Sequence, residues 1–390
     1  MTYELLWLLL PVAAASGWYA AVSSNRKRAV TPQIPSLRSD YFKGLNYLLN
    51  EQPDKAIEVF TKVIEVDSDT VETHLALGNL FRRRGEVDRA IRIHQNLVAR
   101  QNLDPRERGE ALLELGQDYM RAGLLDRAEG LFLELVEADA FADRALRKLT
   151  DIYQQEKDWG KAVEAARRLE EKTGKPYGQV IAHYCCEQAE EMSAQGKPSE
   201  AVAYVKRALD ISSLCVRASL VEGKLLSLSG DYRGAVRAYK RVEQQDPDYL
   251  PEIIEPLQDC CISLGRPSDM ADYLQYILDR YGGISVTLAL ANAKARDEGE
   301  AVAVDFLTEQ LHRRPSIRGL DRLIELSLSH MEGPAQDYMF ILKELTTKLL
   351  ENRPVYRCHQ CGFSGRSLHW QCPSCKHWGT IKPIQGVEGE

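Results

Sequence analysis

One interval between small residues recurs along this chain until it can only mean a repeat. Gly44 is followed twelve residues later by Ala56, and the same step joins Gly78 to Ala90, Gly116 to Ala128, Thr150 to Ala162, Ala189 to Ala201 and Gly223 to Ala235. The alanines stand 34, 38, 34, 39 and 34 residues apart. Four units add a glycine seven residues after the first small position, at Gly85, Gly123, Gly196 and Gly230. Each unit therefore reads as a helix, a tight turn and a second helix, with small side chains where the two helices cross and their axes must approach.

A period near 34 residues is that of the tetratricopeptide repeat. The second helices carry apolar residues at helical spacing, such as Ala56, Ile57, Phe60, Val63 and Ile64, or Ala128, Leu131, Phe132 and Leu135. Asp246-Pro247 ends the sixth unit where proline stops a helix. Beyond it the register fades, with Gly265 and Gly299 marking turns and residues 317–350 forming a last apolar pair. The expected fold is an all-α superhelical solenoid over residues 40–352, with six clear repeats and two or three degenerate ones. Such an array offers a long binding surface and no enclosed pocket. By register, Asn79, Arg82, Arg83, Gln117, Arg121 and Arg147 should point into its groove, where they would hold a partner's carboxylates or backbone.

The two ends differ from the array. Residues 1–22 read as a membrane anchor, since Tyr3 to Val22 carries no charge after Glu4 and spans about 30 Å as a helix. A cleaved secretory signal would carry its positive charge before the apolar run; here Arg26-Lys27-Arg28 follow it. The positive-inside rule then sets the amino terminus outside and the remainder in the cytoplasm. Residues 23–39, with Pro32 and Pro35, read as a basic, stiff tether.

At the other end, residues 353–390 hold Cys358-His359-Gln360-Cys361 and Cys372-Pro373-Ser374-Cys375, with ten residues between the two turns. Each turn aims two thiolates at one centre, so Cys358, Cys361, Cys372 and Cys375 complete a tetrahedral site for one metal ion, iron or zinc. A closed four-thiolate shell leaves no open position for hydrolytic chemistry. Tyr356, Phe363, Trp370 and Trp378 are expected to cover the turns or pack them on the last helices. A redox role and a nucleic-acid-binding ribbon are the alternatives for this segment. The remaining cysteines, Cys185, Cys186, Cys215, Cys260 and Cys261, lie in helical stretches and read as small buried residues. No catalytic constellation is found, so the chain is not expected to be an enzyme, and a net charge of −7 argues against nucleic acid as its main partner.

Taken together, an apolar amino-terminal segment followed by Arg26-Lys27-Arg28, a tetratricopeptide array and a four-cysteine terminus resemble, over the full chain, the lipopolysaccharide assembly protein B family of Gram-negative bacteria. The resemblance implies a single-pass inner-membrane adaptor, its amino terminus periplasmic and its bulk cytoplasmic. It implies that the adaptor promotes degradation of the lipid A pathway deacetylase by the FtsH-type membrane protease, under an inner-membrane lipopolysaccharide regulator. A scaffolding role for synthesis enzymes is also implied. The four cysteines match the family's rubredoxin-type ligands, while Lys376 stands where a second glycine is usual.

Overall fold

Each repeat folds as two antiparallel helices, and the recurring small residue marks where a side chain of the second helix enters the first. The computed structural model describes residues 34–66, 70–328, 331–351, 353–387 and 389–390, with Ser16, Trp18 and Tyr19. The chain divides into two compact units, one ending at Lys148 and one beginning at Leu149. The first holds α1 (Ile34–Leu49), α2 (Pro53–Val66), α3 (Val71–Arg83), α4 (Val87–Val98), α5 (Pro105–Arg121) and α6 (Leu125–Glu137), and α7 (Ala142–Glu156) crosses the division. In the second are α8 (Trp159–Thr173), α9 (Gly178–Ala194), α10 (Pro198–Ile211), α11 (Val216–Leu228), α12 (Tyr232–Gln245), a 3-10 turn at Pro247–Tyr249, α13 (Pro251–Ser263) and α14 (Pro267–Arg280). It continues through α15 (Ile284–Asp297), α16 (Glu300–Arg313), α17 (Ile317–Leu328) and α18 (Pro334–Glu351). Among the described residues these make nine helix pairs. The register that fades after Asp246 in the sequence thus continues as three further pairs.

The small residues do more than let helix axes approach. A Cβ added at Gly44 would lie 2.6 Å from the Phe60 ring, and one at Gly116 would lie 2.5 Å from Phe132. Gly78 meets His94 and Gly223 meets Tyr239 in the same way. Each ring stands sixteen residues after its glycine. Where the first position is Thr150 or Ala189 instead, the residue sixteen later shrinks to Ala166 or Val205. Volume is conserved across the crossing, as close packing requires.

This pairing fixes the sign of a substitution. Gly116→Ala gains about 1 kcal/mol in helix propensity but forces overpacking against fully buried Phe132, which costs about 1–3 kcal/mol. We expect a net fall in the melting temperature, and expect Phe132→Val to be less damaging in the Gly116→Ala background than alone, because the pair then copies Ala189 and Val205. Strict additivity in a double-mutant cycle would contradict the pairing.

The turn position seven residues after the small residue adopts a left-handed backbone whether or not glycine is there. Gly85, Gly123, Gly196 and Gly230 have φ of 83°, 77°, 75° and 83°, while Glu51 and Lys157 take the same place with φ of 55° and 59°. Those two side chains carry a cost of about 1–2 kcal/mol each that glycine would avoid.

Two expectations for the amino-terminal region meet the structure differently. Apart from Ser16, Trp18 and Tyr19, the expected anchor over residues 1–22 lies outside the described residues. Among the described residues no helix is long and apolar enough to cross a membrane. The tether expected to run to residue 39 is shorter than that, since α1 begins at Ile34. Pro35 sits in the first turn of α1, where its missing N–H has no helical acceptor to serve.

Candidate metal centre and the face that holds it

After α18 the chain forms three short strands, β1 (Tyr356–Cys358), β2 (Ser364–Gly365) and β3 (Ile381–Pro383), with β1 central and antiparallel to both others. The first cysteine turn connects β1 to β2. It closes with Gly362 N–H donating to the Cys358 carbonyl at 2.9 Å, and Gly362 has φ of 78°. The second turn repeats this with Lys376 N–H on the Cys372 carbonyl at 2.9 Å and φ of 60°. Lysine therefore adopts the left-handed conformation that glycine supplies in the first turn.

The four Sγ atoms of Cys358, Cys361, Cys372 and Cys375 all lie within 4.8 Å of one another. Cys358 and Cys375 are 3.8 Å apart and Cys361 and Cys372 are 3.7 Å apart. A tetrahedral ion with metal–sulfur bonds of about 2.3 Å requires sulfur–sulfur edges of about 3.8 Å. The donor set fits one metal ion, and among the described residues no histidine joins it. Burial works to raise the Cys358 thiol pKa, but the Thr380 hydroxyl and the amides of Cys361 and Gln360 outweigh it and bring it down to about 6, towards the thiolate that a metal needs. Apart from the cysteines, Ile381 is the buried hydrophobe at the centre of this module, with Tyr356, Phe363 and Leu368 packed around it. So small a core implies that the ion supplies much of the folding free energy.

Tyr356 and Phe363 pack around the cysteine turns, and the end of the chain meets the late helices, with Ile317 N–H donating to the Val387 carbonyl at 3.1 Å and Arg318 pairing with Glu390, but the two tryptophans do neither. Trp370 and Trp378 turn instead towards the middle of the second unit. Trp378 stacks on His183 with ring centroids 5.3 Å apart and meets Tyr184 and Trp159 edge-on at 5.6 and 6.2 Å. Its indole N–H donates to Gln154 Oε1 at 2.9 Å, an oxygen that also accepts from the Gln371 amide. Trp370 stacks on Tyr249 at 5.5 Å, and the Arg217 guanidinium lies about 6 Å from both indoles. Arg217 is itself buried and bridges to Glu187 and Glu190 of α9, each at 2.9 Å. The sheet is tied down as well. Tyr249 donates to the Ile381 carbonyl at 2.8 Å, Lys382 pairs with Asp246 and Asp248, and Tyr356 donates to Glu252 at 2.7 Å.

Two of these contacts share one register. His183 and Arg217 each lie six residues before the small residue of their repeats, and Gln154 lies four after Thr150. They belong to first helices, the face by which a tetratricopeptide array holds its partners. In the second unit that face is filled by the chain's own terminus, and all four aromatics that base stacking would need are engaged, Trp370 and Trp378 on the repeats and Tyr356 and Phe363 around the module's own core.

Of the six predicted groove residues, the structure brings Asn79 and Arg82 together and leaves the others apart. Arg82 donates to Asp118 at 2.8 Å, to Glu114 and to the Asn79 side chain, so it cross-links α3 and α5. Gln117 donates to the Leu113 carbonyl of its own helix, while Arg83, Arg121 and Arg147 are exposed. The sequence reading missed Asp118, which is fully buried between Arg82 and the His94 imidazole. It also missed the docking residues Gln154, His183, Arg217 and Tyr249. Cys185, Cys186, Cys215, Cys260 and Cys261 are all buried, as expected of small apolar positions.

Comparison with known proteins covers the whole chain. A family described as the rubredoxin metal binding domain matches residues 356–383. Tetratricopeptide repeat families match residues 38–70, 73–108, 113–176 and 186–249. The lipopolysaccharide assembly protein B of Escherichia coli (strain K12) is 41% identical over 389 residues, covering 99% of each chain. Its namesake from Haemophilus influenzae is 36% identical over 401 residues, again covering 99% of both.

Proposed function

This chain belongs to the lipopolysaccharide assembly protein B family, and from that premise we propose that it is a non-enzymatic adaptor of lipopolysaccharide assembly, held at the inner membrane by residues 1–22 with its amino terminus periplasmic. It presents the lipid A pathway deacetylase to the FtsH-type membrane protease and answers to an inner-membrane lipopolysaccharide regulator. The observation that carries this reading is identity along the full length, which embraces the apolar amino-terminal segment, the repeats and the metal turns together.

The geometry supports a holding role. A closed thiolate shell stabilises a fold and activates no water. The module fills the first-helix face of the second unit, and in the first unit Arg83, Gln117, Arg121 and Arg147 are among the exposed or half-exposed first-helix residues that a protein partner would meet. Confinement to the membrane plane raises the adaptor's effective concentration towards a membrane protease without any new contact.

The test is the deacetylase half-life in cells, with the protease present and absent, carrying the full chain or a version lacking residues 1–28 at native expression. We expect the half-life to lengthen several-fold in the shortened version only when the protease is present. Normal turnover with the shortened version would reject tethering, and protease-independent turnover would reject the adaptor role.

A further inference from the structure

The last helix of the repeats is packed the wrong way round for an end cap. α18 rests on α17 through polar groups: Lys343 pairs with Asp321 at 2.7 Å, and the hydroxyls of Thr346 and Thr347 donate to the same carboxylate. Apart from Phe340, which is exposed on another side of the helix, its exposed large apolar side chains are Tyr338, Ile341, Leu342, Leu345 and Leu349, at 47–70% relative exposure. At 100° per residue they form one stripe. A terminal repeat ordinarily needs a polar outer face to keep the stack soluble. The terminus that follows α18 cannot cover this stripe with its two tryptophans, because they are spent on His183 and Tyr249.

We propose that the stripe is the interface with a second copy of this chain, the two α18 helices lying antiparallel about a twofold axis between Lys343 and Glu344. The sequence of the stripe favours this occupant over an unrelated helix. An isologous interface must be self-complementary, with residue i facing j and j facing i. Reflected about that axis, Tyr338 falls on Leu349 and Leu342 falls on Leu345, so four of the five stripe residues meet a large apolar group, while Ile341 falls on the buried Thr346. The border is self-complementary in charge. Asp337 and Lys348 are eleven residues apart, about three turns, and so lie on one line of the helix. About this axis Asp337 falls two residues from the partner's Lys348, about 3 Å along the helix, which a lysine side chain spans, so opposite charges approach at both ends of the seam. This arrangement uses only the end of the second unit.

The test uses the purified full chain in detergent, with sedimentation equilibrium as the readout. Leu342→Glu and Leu345→Lys change exposed positions, so helical content and bound metal should match the parent. We expect the parent to dimerise and each variant alone to raise the dissociation constant at least tenfold, since each places two charges against leucine. An equimolar mixture of the two variants should regain dimers, because only antiparallel pairing sets the new carboxylate against the new ammonium and leucine against leucine. A parent that stays monomeric at every concentration, variants that dimerise as the parent does, or a mixture that stays monomeric would each overturn the proposal. If the variants instead lose binding to anionic phospholipid vesicles with no change in association state, the stripe belongs to a lipid surface.

Discussion

Cys372→Ser should strip the metal from the terminal module and unfold it, while the repeats keep their helical signal. The four sulfurs lie within 4.8 Å of one another, and the buried core around them is Cys358, Cys372 and Ile381. Metal binding in comparable cysteine sites contributes about 10–16 kcal/mol, far more than burying one isoleucine, which is worth about 1.5–3 kcal/mol. Serine does not ionise near neutral pH, so the variant loses both a ligand and a charge that the ion requires. Because Cys372 is fully buried, no water can take the vacant position, whereas Cys361 is exposed and a water can reach its place. Cys361→Ser should therefore retain more metal than Cys372→Ser. The checks are metal per chain by elemental analysis and limited proteolysis after α18. One equivalent of metal and an unchanged cleavage pattern in Cys372→Ser would show that the ion is not what folds the module.

How much of this was legible in the sequence follows from how local each signal is. The repeats announce themselves because one steric requirement, a small residue against a ring, recurs at fixed intervals. The metal turns are equally plain, since two cysteines three positions apart must converge. The docking face has no such signature. Tyr249 reaches Ile381 across 132 residues and Gln154 reaches Trp378 across 224, and neither pair leaves a periodic trace. Asp118 was invisible for a related reason. A lone aspartate on a charged helix reads as a solvated residue until His94 and Arg82, 24 and 36 residues away, are seen to enclose it. Glu51, Lys157 and Lys376 show the limit of residue propensities, since each holds a left-handed conformation imposed by the turn around it.

Trp378→Ala should release the module from the repeats and leave the metal bound. The indole meets His183, Tyr184 and Trp159 and donates to Gln154, and since it is half-buried its truncation costs less than the about 3–5 kcal/mol of a fully buried tryptophan. The remaining ties are weaker in part, because the Lys382 pairs are partly exposed and worth at most about 1 kcal/mol each. Trp378 is not a ligand, so metal content should hold at one equivalent while hydrogen exchange quickens in α9 and in the module. This separates docking from folding; loss of metal together with docking would show that the two are one event. The same contact makes docking sensitive to acid. Burial first, and the Arg217 charge second, hold the His183 imidazole down to about 3, with Glu187 and Glu190 neutralising Arg217 from the same helix. Undocking removes the burial that the module imposes and leaves only the Arg217 charge, so the undocked imidazole takes a proton below its ordinary value of about 6.5 but more readily than the docked one. Docking is therefore at full strength above pH 6.5 and weakens by up to about 1.4 kcal/mol for each unit that the pH falls towards 3. His183→Phe keeps a flat ring beneath Trp378 and has no proton to gain, so its docking should lose that slope. If hydrogen exchange in α9 rises with acid as steeply in His183→Phe as in the parent, the protonation that loosens the module lies elsewhere.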